Sequence, residues 1–184
     1  MKFIKTKIQD VYIIEPNVFG DHRGYFLESF NLKQFEEHIY PIKFVQDNES
    51  KSSKGVLRGL HFQTPPFNQA KLVRCIEGRV MDVAVDVRKG SPTYGEHVAV
   101  ELSGENKRQL FVPRGFAHGF SVLSDTAVFG YKVDNTYAPE YDYGIRWNDN
   151  DLAIDWGLNE EEVLLSEKDK NLTFFKDLDS PFDF

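Results

Sequence analysis

The sequence predicts an all-β fold, an antiparallel sandwich or barrel with helices confined to its flanks. Three observations carry this expectation. The string VMDVAVDV at 80–87 alternates with the period of a strand. Short segments of similar character recur downstream, separated by turn formers. The aromatic content is high, with 16 Phe, eight Tyr and two Trp, enough to fill a β interior and still line a pocket.

Taken in chain order, each element has a local reason. Leu32, Phe35 and Ile39 fall on one stripe of a helix over Leu32–Ile39. Arg58 and His61 lie in an extended segment. At 80–87, Val80, Asp82 and the other even positions share one side, and Val83, Val85 and Val87 share the other. Further strands are expected at Val98–Leu102, Gln109–Val112 and Ala127–Val133, with turns at Lys89-Gly90 and at Ser103-Gly104-Glu105-Asn106. Asn159 can cap a short helix over Glu160–Leu164. No long-period repeat, low-complexity tract or Pro/Gly/Ser linker divides the 184 residues, so a single domain, 1–184, is expected, with a short wandering tail after Asp169.

Charge and cysteine usage narrow the function. Lys plus Arg number 22 against 29 Asp plus Glu, a net charge of −7 that offers nothing to hold a nucleic-acid backbone. Cys75 is the only cysteine, which excludes an intrachain disulfide and fits a reducing compartment. The opening MKFIKTKIQD lacks the apolar core of a secretory signal, and no apolar run approaches the ~20 residues that span a bilayer. A cytoplasmic protein with neither nucleic acid nor membrane as partner is the expectation.

Several chemistries are excluded by spacing. No two glycines are separated by a single residue, which removes the Gly-x-Gly-x-x-Gly dinucleotide turn. Gly90 to Gly95 has the spacing of a phosphate-binding loop, but Glu96 stands where its lysine belongs. No Gly-x-Ser-x-Gly elbow occurs. His22, His38, His61, His97 and His118 are too far apart in the chain to form a local metal pair.

The densest polar stretch, QDNESKSSKGVLRGLHFQ at 46–63, sets Gln, Asn, Arg and His among small and apolar residues, the composition of a pocket wall. Gly59 lets the backbone approach a ligand closely. Arg58 and His61 are three apart and would face opposite sides of a strand unless a bulge intervenes. A lone histidine is more often a hydrogen-bonded core residue than a functional one, so His61 by itself assigns nothing.

Other segments join this block in order: FGDHRGYFLESF at 19–30, KLVRCIEGRVMDVAVDVRKGSPTYG at 71–95, FVPRGFAHGF at 111–120, YKVDNTYAPEYDYGIRWND at 131–149 and LSEKD at 165–169. Together they cover nearly the whole chain, and the sequence resembles the dTDP-4-dehydrorhamnose 3,5-epimerase family, whose fold is a cupin-type jelly roll. The resemblance implies an antiparallel jelly-roll barrel or sandwich with short flanking helices. It also implies a nucleotide-linked 4-keto-6-deoxyhexose as substrate, converted from dTDP-4-dehydro-6-deoxy-D-glucose to dTDP-4-dehydro-L-rhamnose.

The wider cupin pattern holds a metal through two close histidines, a glutamate and a later histidine. Gly55 and His61 match its start, but Gln63 replaces the second histidine and Lys71 the glutamate. An ammonium among the ligands repels a cation, and an amide oxygen is a poor substitute for imidazole. No metal is expected. The same lysine suits a pocket that must hold a developing oxyanion.

The ketone of such a substrate acidifies the hydrogens at C3 and C5, so epimerisation needs no redox cofactor, and none is expected. A base removes a proton, an enolate forms at O4, and an acid returns a proton to the opposite face. By resemblance, His61 is the base, Asp169 of LSEKD holds its imidazole, Tyr131 is the acid and Lys71 stabilises the enolate oxygen. Arg58, Arg23 and Lys71 are the cations available to a diphosphate, Arg58 first because its planar fork matches phosphate oxygens. His118 lines the family pocket. The segment matching Phe19, Arg23, Phe26 and Glu28 reaches across a dimer interface towards the nucleotide, which implies a homodimer. Gln46 and Asn48 add polar contacts, and Tyr137 stacks on the base.

Three other readings are distinguishable. A homologue inverting a single centre would differ in product stereochemistry. A non-catalytic sugar-nucleotide binder would lack His61, Tyr131 or Asp169, and all three are present. A metal-dependent cupin oxygenase is disfavoured by Gln63 and Lys71.

Overall fold

The computed structural model describes residues 1–184. β1 (Lys2–Lys5) and β2 (Tyr12–Glu15) open the chain as an antiparallel pair, with Phe3 opposite Ile14. β3 (Val18–Asp21) and β4 (Gly24–Leu27) form a hairpin paired only with itself, and its turn uses Gly24 at φ +132°. An isolated two-stranded ribbon is marginal in water. Here Lys107 steadies it, with Nζ 2.9 Å from the Tyr25 hydroxyl. α1 (Leu32–His38) begins at an Asn31 cap whose side chain accepts the Gln34 N–H at 3.2 Å.

The remaining strands are β5 (Gln46–Ser53), β6 (Leu57–Gln63), β7 (Lys71–Glu77), β8 (Arg79–Asp86), β9 (Arg88–Lys89), β10 (His97–Ser103), β11 (Gln109–Val112), β12 (Phe116–Val122), β13 (Thr126–Val133) and β14 (Asp142–Gly144). They are followed by α2 (Glu167–Lys170) and β15 (Phe182–Asp183). The strands expected near Val80, Val98, Gln109 and Ala127 are thus β8, β10, β11 and β13. A six-stranded sheet runs in the order β1-β2-β11-β7-β13-β5 and a five-stranded sheet in the order β10-β8-β12-β6-β14. All pairings within these two sheets are antiparallel, as expected for the all-β class.

Three apolar layers position the two sheets. Between them, Val73, Cys75, Leu110 and Phe129 of the larger sheet meet Val80, Ala84, Phe120 and Val122 of the smaller. The outer face of the larger sheet, through Ile14, Leu72 and Phe111, is covered by Phe35 of α1. The outer face of the smaller, through Val83 and Val85, is covered by Leu152, Trp156 and Phe182 from the last third of the chain. β8 is buried on both faces, with Val83 and Val85 in the outer layer and Val80 and Ala84 in the inner one, where Asp82 and Asp86 share their side of the strand. Each such aromatic or aliphatic side chain, fully buried, contributes about 1.5–3 kcal/mol.

Two expectations are corrected. The segment after Asp169 does not wander. β15 pairs in parallel with β9, Ser180 donates its hydroxyl to the Val87 carbonyl, and Phe182 packs edge-on against Phe62 at 5.7 Å between centroids. The expected helix over Glu160–Leu164 is only a 3₁₀ turn, Glu160–Glu162, because Leu164 leaves it to bridge Val56, exchanging backbone hydrogen bonds with Leu57 and Gly55 at 3.0 and 2.8 Å. Neither α1 nor α2 is long and apolar enough to cross a membrane.

Candidate active site

A cavity of about 490 Å³ lies between the sheets, walled by β6 and β12 on one side and by β5, β7 and β13 on the other. Its shape begins with a register shift in β6. His61 pairs with His118 and Arg58 with Phe120, so three steps along β6 match two along β12. This is a β-bulge, and Gly59 occupies it at φ +119°. A Cβ at Gly59 would sit 2.5 Å from the Gly119 Cα, so both strands need glycine here. The extra residue places Arg58 and His61 together on the cavity wall, while Leu57, Leu60 and Phe62 join the apolar layer under the C-terminal segment.

His61 Nε2 lies 2.5 Å from Asp169 Oδ1 across 108 positions of sequence. With Nε2–H donated to Asp169, the Nδ1 lone pair is the one left for a reacting proton. Asp169 is held by the turn that presents it. Ser166 caps α2, accepts the Asp169 backbone N–H at 3.1 Å and donates its hydroxyl to Asp169 Oδ2 at 2.7 Å. Burial pushes the Asp169 carboxyl up, but the hydrogen bond and charge of His61, with help from Ser166 and Lys168, outweigh it and leave the carboxyl below its usual range. It is therefore an anion, able to stabilise an imidazolium.

The opposite wall carries Tyr131 and Lys71. Tyr131 opposes Val73 and Asn48 in the sheet and faces the interior, packed on the central core. Burial, reinforced by Asp142 and opposed by Arg58, raises its phenol, which stays protonated at neutral pH. Burial pushes Lys71 down to about 8, against the pull of Asp142 and Asp82. Lys71 forms no ion pair, and Arg58 bonds only the Ser52 hydroxyl, at 3.1 and 3.3 Å. These two cations are thus left for an anionic ligand. Of the carboxylates near them, Glu49 lines the same cavity and three are already engaged: Asp169 with His61, Asp82 with His118 at 3.0 Å, and Asp142 with Lys168 and with the Tyr137 hydroxyl, the latter at 3.0 Å.

Of the residues singled out from sequence, His61, Lys71, Tyr131, Asp169, Arg58, His118 and Tyr137 all line this cavity. Gln46 and Asn48 do not. They share the Tyr131 face by register and hydrogen-bond one another at 2.8 Å, with Asn48 lining a smaller adjoining recess. Phe19, Arg23, Phe26 and Glu28 stand away from the cavity of their own chain, on and beside the β3–β4 hairpin. Phe19 and Phe26 are 64% and 69% exposed, Arg23 is paired with Asp21 at 2.5 Å, and Glu28 accepts from Asn31 at 3.1 Å.

Sequence reasoning passed over Asp82, Ser166 and Asp142. Asp82 is legible in retrospect as one of two carboxylates, with Asp86, on a buried side of an apolar strand, and Ser166 as the first residue of a Ser-x-x-Asp helix cap. Gln63, at the position of a cupin metal ligand, spends its amide on the Phe67 and Thr136 carbonyls and the Ala138 N–H, fixing the loop that carries Tyr137. No three His, Cys, Asp or Glu side chains converge anywhere in the chain to hold a metal ion.

The profile of the dTDP-4-dehydrorhamnose 3,5-epimerase family matches residues 5–177. The chain is 58% identical over 180 residues to the dTDP-4-dehydrorhamnose 3,5-epimerase of Shigella flexneri, covering 97% of this chain and 98% of that one. Among solved structures, the corresponding enzyme of Elizabethkingia anophelis NUHP1 superposes with a TM-score of 0.91 at 59% identity, over 96% of this chain and 97% of that one. The dTDP-6-deoxy-D-glucose-3,5-epimerase of Legionella pneumophila Philadelphia 1, solved in complex with dTDP-4-keto-L-rhamnose, gives 0.93 at 52% identity, over 97% and 94%. With its two-sheet frame, its cavity and this extent of identity, the chain belongs to the dTDP-4-dehydrorhamnose 3,5-epimerase family.

Proposed function

We propose that this chain converts dTDP-4-dehydro-6-deoxy-D-glucose to dTDP-4-dehydro-L-rhamnose, inverting C3 and C5 by proton removal and return, with no redox change. The observation that carries the reading is the pairing of a His61–Asp169 dyad on one wall of the cavity with Tyr131 on the other. His61 Nδ1 takes the proton from the carbon beside the ketone. The C–H electron pair becomes the enolate, its charge resting on O4, and the imidazolium is stabilised by Asp169. Lys71 faces that oxygen, and such a charge in a water-poor site can contribute several kcal/mol to the transition state. Tyr131 returns a proton to the opposite face of the carbon. His61 then releases its proton to solvent and Tyr131 takes one back from it, which restores both groups, and the steps repeat at the second centre.

Arg58 binds the diphosphate and Tyr137 stacks on the base. His118, oriented by Asp82, contacts the sugar or phosphate. The β3–β4 hairpin supports a homodimer. Its aromatic side chains are exposed in the single chain, and Phe19, Arg23, Phe26 and Glu28 would reach the nucleotide of a partner subunit, with Gln46 and Asn48 adding polar contacts. The chain acts as one domain, in the cytoplasm. The test is incubation of the 4-keto sugar with enzyme in heavy water, followed by NMR. Deuterium at both C3 and C5 in an L-configured product is expected, and label at neither carbon sinks the reading.

A further inference from the structure

We infer that Asp142 is a positioning residue for this reaction: from β14, on the wall of the cavity that also holds Lys71, its carboxylate joins Tyr137 to Lys168 of the dyad helix. The inference rests on the function proposed above. Asp142 lines the cavity beside Lys71 and Tyr131. Its Oδ2 accepts the Tyr137 hydroxyl at 3.0 Å and pairs with the Lys168 ammonium. One carboxylate oxygen therefore links the loop of Tyr137 to α2, where the neighbour of Lys168 is Asp169 itself.

The charges around Lys71 give this contact its sign. Asp142 on β14 and Asp82 on β8 favour the ammonium, while Lys168 on α2 disfavours it. His118 on β12 lies against Asp82, and Arg58, His61, Asp169, Glu49, Tyr131 and Tyr137 complete the ionisable groups of the walls. Breaking the same ion pair from its two ends must then move Lys71 in opposite directions. Asp142→Asn removes the anion and exposes Lys71 to Lys168. Lys168→Gln removes the cation and leaves Asp142 acting on Lys71 alone.

The experiment is titration of Lys71 Nζ by NMR in wild type, Asp142→Asn, Lys168→Gln and the double variant, with the pH profile of kcat/KM for the 4-keto sugar measured beside it. The expected result is a midpoint lowered by roughly half a pH unit or more in Asp142→Asn, raised in Lys168→Gln and intermediate in the double variant, the alkaline limb of the rate following each. KM should rise in Asp142→Asn as Tyr137 exchanges a charged acceptor for the weaker amide oxygen. Shifts of the same sign in both single variants, or none, overturn the inference. Should Asp142→Asn fail to fold, a Lys168→Gln midpoint that falls or stays put overturns it alone. The NMR midpoint does not require turnover, so a wild type that titrates as expected yet leaves the 4-keto sugar unlabelled in heavy water refutes the proposed function instead.

Discussion

His61 and Tyr131 line one cavity from different sheets, His61 from β6 of the five-stranded sheet and Tyr131 from β13 of the six-stranded sheet. An enolate is planar at the reacting carbon. In the proposed reaction it lies between these walls, with one face to the imidazole and the other to the phenol. Inversion requires two proton-transfer groups on opposite sides of that plane, and a two-sheet sandwich provides the two sides through its architecture.

His61→Asn should lower kcat by about 10²–10⁴-fold while leaving KM close to wild type, because the imidazole acts on the reacting proton and not in holding the nucleotide. Steady-state kinetics with a reductase specific for the doubly inverted product measure both. A variant that turns over near normally removes His61 from the role of base.

Tyr131→Phe should separate two events that the wild type links. Proton removal by His61 persists, so solvent deuterium still enters the substrate, but return to the opposite face is lost and inverted product falls. NMR of the recovered sugar reads label and configuration together. Loss of exchange and inversion in equal measure would count against Tyr131 as the acid.

The rate should fall as pH rises through about 8, where Lys71 loses the proton that makes it a partner for the enolate oxygen. Lys71→Met should lower kcat by about 10²–10³-fold and remove this alkaline limb. A limb that survives unchanged in Lys71→Met belongs to another group.

Asp169 links the site to stability. Its carboxyl titrates lower in the folded chain than when unfolded, so the stability it contributes is present above the unfolded value of about 3.9 and is lost as pH falls through the lower folded value. Thermal melting of the wild type should therefore decline more steeply as pH falls below about 4 than that of Asp169→Asn. Parallel declines would show that the dyad carries no such linkage.

The docked C-terminus predicts a large effect far from the chemistry. Phe182 is 6% exposed and closes the outer face of the five-stranded sheet against Phe62, the residue after His61. Phe182→Ala should lower unfolding stability by about 3–5 kcal/mol in denaturant titration. An effect within about 0.5 kcal/mol would mean that this end of the chain is held by its backbone pairing alone.

Much of this was legible in the sequence, for identifiable reasons. The alternation of VMDVAVDV marks β8 because its period is local, and the stripe of Leu32, Phe35 and Ile39 marks α1 for the same reason. The cavity residues were reached through motifs whose order is preserved, not through periodicity, which cannot bring Asp169 to His61 across 108 positions. The failures share one cause. The helix at Glu160 was cut short by a bridge to Val56, and the tail was held by β9 and Phe62, partners distant in sequence and invisible to a local pattern. Asp82 and Asp142 were missed likewise, since a carboxylate declares its role only when its neighbour across the fold is known.

The bulge at Gly59 reaches further than its size suggests. Were β6 regular, Arg58 and His61 would point to opposite sides, and under the proposed function the chain could keep a diphosphate anchor or a base over the cavity but not both. Ligand grip and proton transfer are thus tied to a single surplus residue. A lineage that straightened this strand would forfeit one of the two at a stroke, whatever side chains it retained.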